Sequence, residues 1–174
     1  VLPEHEAAAR EAFAPGTPIY AWHAFNFTEL NRAQPLSDSL DGLAFRVCCQ
    51  VHTEDDASVL ENTLALTDVA ESAAALAEGR PVIVAPLQFG NTRHGSDFRK
   101  KGTLVGAQWS LLSLLHLGLG GRCLAAPFDA AELMWGGLEQ ALMLQGLAGQ
   151  EIELLAGSVP GRAMGFAVGG RRVL

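Results

Sequence analysis

The densest positive charge in the chain lies between Phe89 and Gly102, where Arg93, Arg99, Lys100 and Lys101 surround His94 in a polar, glycine-bearing stretch. An imidazole titrates near neutral pH and serves as general acid or base, so His94 is the histidine best placed for catalysis. His23 is the alternative, close to Tyr20, Trp22, Phe25 and Phe27. Those aromatics either wall a pocket or pack in a core. His116 and Gln108 sit in an otherwise apolar stretch, where a buried polar side chain needs a partner. No Gly-x-Ser-x-Gly nucleophile elbow accompanies any of them.

Other chemistries are excluded by composition and spacing. No Gly-x-Gly-x-x-Gly follows a strand and no Walker sequence is present. Cys48, Cys49 and Cys123 make an odd set with an adjacent pair, which argues against a disulfide framework and for reduced, structural thiols in a cytoplasmic protein. No cysteine or histidine spacing suits zinc. The net charge of −7 disfavours nucleic acid and an anionic membrane surface. The longest uncharged stretch, Gly102 to Gly121, carries Gln108, Ser110, Ser113 and His116, against a membrane span. The start, Val-Leu-Pro-Glu, lacks the basic and apolar regions of a signal peptide. Charged residues are only 18% of the chain and apolar residues 49%, so part of the surface is expected to be covered by a second subunit.

The elements that must position these groups read as one α/β or α+β domain over residues 1–174. Glu4 to Phe13 is a helix stopped by Pro15-Gly16. Thr17 to Pro35 is irregular, with a short helix near Phe27 to Arg32. Leu43 to Val51 is a strand. Asp55 to Leu66 is either a helix or a turn with a short strand. Thr67 to Glu78 is a helix with Thr67 as its cap and Gly79 as its stop. Pro81 to Leu87 is a central strand, apolar throughout. Thr103 to Leu117 has no charged residue on any face and is expected to be buried all round. Arg122 to Ala126 and Glu151 to Ser158 are strands, with helices over Asp129 to Met134 and Leu138 to Leu147 between them. Met164 to Leu174 is glycine-rich.

The stretch from Gly79 to Gly121 resembles the nitroreductase superfamily of FMN flavoproteins. That family runs from an apolar strand through a variable loop to a buried helix of pattern Ala-x-Gln-Asn-Leu-x-Leu-x-Ala-x-x-Leu-Gly-Leu-Gly. Here Ala107-Gln108 opens and Leu117-Gly118-Leu119-Gly120 closes the corresponding run. Gln88-Phe89-Gly90-Asn91-Thr92-Arg93 is similar to a loop of the azoline-dehydrogenase branch, and Asn31 to Leu36 to a segment preceding a strand.

The resemblance implies a mixed central sheet flanked by helices, with the long helix at a homodimer interface. It implies FMN and hydride transfer between flavin and a nicotinamide, small-molecule or peptide substrate. It assigns Asn31 and Gln34 to the flavin's pyrimidine edge, which otherwise read as a turn asparagine and a surface glutamine. It assigns Arg93, Arg122, Arg171 and Arg172 to the phosphate. Gly120 and Gly121 would let backbone N–H groups approach that anion; a plain helix C-cap is the competing reading. Only Arg10 stands where the family carries its opening arginine cluster, which keeps a degenerate, flavin-free scaffold or partner subunit as an alternative. An unrelated α/β transferase or hydrolase using His23 or His94 is the second.

Overall fold

The computed structural model describes residues 5–23, 26–32, 37–48, 55–88, 103–120, 123–124, 152–154, 166–168 and 171–173. Helix α1 spans Glu6–Ala12. Strand β1, Tyr20–His23, is followed by α2, Phe27–Arg32, and then by β2, Gly42–Cys48. Helix α3, Asp56–Glu61, a 3-10 turn, Asn62–Leu64, and α4, Ala65–Ala77, lead to β3, Val82–Gln88. Helix α5, Leu104–Leu119, leads to β4, Cys123–Leu124. Three further short strands, β5 Ile152–Leu154, β6 Phe166–Val168 and β7 Arg171–Val173, form an antiparallel sheet of their own.

Strands β1 to β4 form one sheet in sequential order, every neighbouring pair parallel. Each of β1, β2 and β3 is followed by a helical crossover and then by the next strand along. Such a run builds the arc of a (β/α) barrel, whereas a doubly wound sheet reverses direction midway. The expected mixed central sheet is therefore replaced by a wholly parallel one. Crossover helices force that outcome, because parallel neighbours need a long connection and hairpin-linked neighbours do not.

Strand periodicity separates two faces. Leu43, Phe45 and Val47 of β2 join Ile19, Ala21, Val82, Val84 and Leu87 in one core with Leu30, Val59, Leu66, Ala70 and Trp109 from the helices. Each fully buried Leu, Val or Phe there contributes about 1.5–3 kcal/mol relative to exposure. Phe27 of α2 closes on Phe45, ring centroids 5.3 Å apart and tilted by 58°. The alternate residues Gly42, Ala44, Arg46 and Cys48 take the opposite face. The register between β2 and β3 shifts between Phe45↔Val84 and Val47↔Leu87, leaving Ala85 and Pro86 opposite Arg46 alone. This is a bulge, and a proline without a backbone N–H is tolerated there.

Local chemistry fixes the helix ends. Asp55 caps α3 by accepting from the Ser58 N–H at 2.9 Å, and Thr103 caps α5 by accepting from the Gly106 N–H at 3.3 Å. Helix α4 stops where Glu78 and Gly79 take positive φ, 52° and 86°. Thr67 does not cap it: α4 begins at Ala65, and the Thr67 hydroxyl turns to His116.

Two further expectations are corrected. Tyr20–His23 is a strand although its alternation is imperfect, because Ile19 and Asp41 pin it beside β2: the Ile19 N–H donates to the Asp41 carboxylate at 2.7 Å, and the Asp41 N–H to the Ile19 carbonyl at 2.8 Å. Helix α5 is not buried all round, since Leu104 is 60% exposed and Gln108 is exposed. Its buried side packs within the chain on α3, α4 and the 3-10 turn. The helices expected over Asp129 to Met134 and Leu138 to Leu147 lie outside the described residues.

Candidate functional site

In a parallel arc with helices on one side, ligands bind at the C-terminal ends of the strands, where the βα connections begin. The opposite, N-terminal end is closed by satisfied polar contacts. Arg80 donates from Nε to the Ala77 carbonyl at 2.9 Å and from Nη1 to the Ser37 and Leu40 carbonyls at 3.0 and 3.3 Å. Arg10 pairs with Asp41 at 3.1 Å. The Ile19 N–H, and beyond it Arg10, hold the Asp41 carboxyl below its ordinary range, against a smaller opposing effect of desolvation. Tyr20 lies over Gly42, whose missing side chain gives the ring its space.

The C-terminal end carries different chemistry. Trp22 is on the face opposite the helices and is 44% exposed. Its register partner is Ala44, so Arg46 comes next on that face toward the C-terminal end, followed by Cys48. The Cys48 thiol donates to the Asn26 side-chain carbonyl at 3.4 Å, tying the end of β2 to the start of α2. Glu29 stands in the first turn of α2, just past the end of β1. Glu29 Oε2 and Arg46 Nε are both buried and have no hydrogen-bond partner. Neither side chain forms an ion pair among the described residues. Buried charged atoms without partners are rare and costly, and a site that binds a polar ligand is the ordinary place to find them. Each of these groups carries a usable chemistry: Trp22 an aromatic face, Glu29 a carboxylate for moving protons and Arg46 a guanidinium for oxygen anions.

Of the residues singled out in the sequence, the described ones fall in several places. Asn31 is exposed near the end of α2, away from the strand ends. Gly120 caps α5 in contact with α4: a Cβ there would meet the Thr67 carbonyl and Ala70, so its bareness serves close helix packing. Arg171 and Arg172 are on β7, opposite Val168 and Ala167 in the antiparallel sheet. His23 closes β1 at the candidate end. Gln34, Arg93, His94, Gly121 and Arg122 lie outside the described residues.

Glu29 and Arg46 escaped sequence reasoning, although one signal was present. Arg46 is the lone charge inside an apolar strand, and a charge in that setting needs a reason. His116 is a core histidine. The Thr67 hydroxyl donates to the His116 carbonyl at 3.3 Å and lies 3.1 Å from its Nδ1, while Nε2 is buried without a partner. Burial pushes its pKa down. Among the described residues no His, Cys, Asp or Glu cluster could hold a metal ion, and no helix is long and apolar enough to cross a membrane.

The family model described as D-apionate lactonase, TIM barrel domain, matches residues 2–101, more than half of the chain. The matched span runs from α1 through β3, and α5 with β4 continues the same pattern beyond it. No curated protein and no solved structure matches the chain. The match overturns the resemblance to nitroreductase-like flavoproteins, and with it the FMN-dependent oxidoreductase reading. The strand, loop and buried helix that carried the resemblance are one βα unit of a barrel, a sequence of elements that both folds share. Flavin was implied by that resemblance alone.

Proposed function

Because the chain belongs to the D-apionate lactonase TIM-barrel family, we propose that it is a hydrolase that opens the lactone ring of a small polyhydroxy acid at the C-terminal ends of β1 to β3. The observation that carries this reading is the coincidence of two facts. The family match covers these three strands, and their ends hold buried charged atoms with no partner. Of the functions open in the sequence, the hydrolase alternative is the one this family supports.

Ring opening adds water to the carbonyl carbon and breaks that carbon's bond to the ring oxygen. The water's proton ends on the departing alkoxide, and the acid formed ionises to a carboxylate and a proton. Glu29 takes the role of base toward the attacking water and later returns the proton to the ring oxygen. Trp22 offers an apolar ring face to the C–H side of the sugar. We place the reaction in the cytoplasm, in keeping with Cys48 being a thiol rather than half of a disulfide.

The test is proton release at constant pH from a panel of five- and six-membered aldonic acid lactones. At least one is expected to open well above its spontaneous rate. A folded protein that accelerates none of them would overturn the proposal.

A further inference from the structure

We infer that Arg46 binds the carboxyl end of the substrate: the carbonyl oxygen of the lactone and, after ring opening, the carboxylate of the product. This rests on the hydrolase reading and adds to it the group that recognises and orients the reacting carbon. Three observations carry it.

The first is placement. Leu43, Phe45 and Val47 all enter the helix-facing core, so alternation sets Arg46 on the other face. It is one step beyond the Trp22–Ala44 pair toward the strand ends, roughly 6–7 Å further along β2. The second is the lack of a counter-charge. Arg46 is the only charged residue of β2, its Nε is buried without an acceptor, and no described carboxylate pairs with it. The contrast with Arg80 is direct, since that guanidinium spends its donors on three carbonyls.

The third is chemistry. A guanidinium is always charged and presents its donors as a planar fork, which matches a carboxylate with two parallel hydrogen bonds. The same fork meets the oxygen that gains negative charge when water adds to a lactone carbonyl. A neutral ketone or alcohol would leave the fork half used. The substrate class that fits has a carboxyl-derived carbon at one end and C–H and hydroxyl groups at the other, where Trp22 lies.

The assignment is tested with two separate readouts on the wild type, Arg46→Met and Arg46→Lys: lactone hydrolysis, and calorimetric binding of aldonate sodium salts, with D-gluconate as the first probe. Arg46→Met is expected to lower kcat about 100- to 1,000-fold and to weaken aldonate binding at least about tenfold. Arg46→Lys keeps the charge without the fork and recovers part of both; it carries the test alone if the methionine variant does not fold. Hydrolysis by the wild type with aldonate binding unchanged within twofold in a folded variant overturns the role of Arg46 and leaves the hydrolase reading intact. Arginine-dependent aldonate binding without hydrolysis of any lactone does the reverse. A wild type that neither binds aldonates nor opens lactones overturns both.

Discussion

The two ends of the parallel sheet are built from the same kinds of residue and treat them oppositely. At the N-terminal end Arg10, Asp41 and Arg80 spend their polar atoms on named partners. At the C-terminal end Glu29 and Arg46 keep buried polar atoms without any. Satisfied charges at one end hold strands and crossovers in place; unsatisfied charges at the other are kept for something that arrives from solution. The distinction is energetic, since a buried charged atom without a partner costs stability that only a ligand recovers.

The sharpest way to break this contrast is a pair of substitutions, one at each end. Glu29→Gln is expected to lower kcat about 100- to 10,000-fold, the range for loss of a general base, while leaving Tm unchanged or slightly raised. Arg80→Ala is expected to do the opposite. It strips charged donors from three carbonyls and costs about 3 kcal/mol of stability, read from denaturant unfolding, while the folded fraction keeps its kcat. If Glu29→Gln unfolds the protein at full specific activity, or Arg80→Ala abolishes kcat without lowering stability, the two ends have been assigned the wrong way round.

Smaller effects sharpen the picture. Gly120→Ala pushes a methyl group against the Thr67 carbonyl and Ala70, and should cost about 1–3 kcal/mol without touching kinetics. Burial keeps His116 neutral in the fold. An unfolded chain binds a proton there below about pH 6.5, and the folded chain binds it only at lower pH. Stability should therefore be flat from pH 9 to about 7 and fall below about 6.5, and His116→Gln should flatten that decline. The lowered pKa of Asp41 acts lower still. Its contribution is present above the ordinary aspartate range and is lost as pH falls through the folded-state value. Asp41→Asn should remove this last, smallest dependence from a series of Tm values taken below pH 5.

Much of this fold was legible residue by residue. The apolar run around Phe45, the strand after Pro81, the stop at Gly79 and the start of the helix at Thr103 all stand within a residue or three of where local rules put them. Strand β1 was not, because four residues with weak alternation become a strand only when Asp41 holds them from another part of the chain. The hairpin of β6 and β7 was also overlooked, although Gly169-Gly170 is a two-residue hairpin signal. The resemblance to flavoproteins treats Leu117-Gly118-Leu119-Gly120 as one motif. Its glycines do unrelated things: a Cβ at Gly118 would meet nothing, whereas one at Gly120 would meet α4. Charge density draws attention to the loop around His94, which lies outside the described residues, whereas Arg46 and Glu29 are isolated charges whose meaning comes from burial.

The extra residue that β3 carries opposite Arg46 has an architectural result. Counting along an even strand, Val84 and Leu87 would face opposite ways, yet both are in the helix-side core. The bulge resets the parity, so that β2 and β3 finish level, Cys48 beside Gln88, with their apolar series still in step. Removing Ala85 would force a choice between keeping Leu87 dry and keeping the two strand tips aligned. That one residue lets the same strand satisfy the oily interior below it and the rim above it.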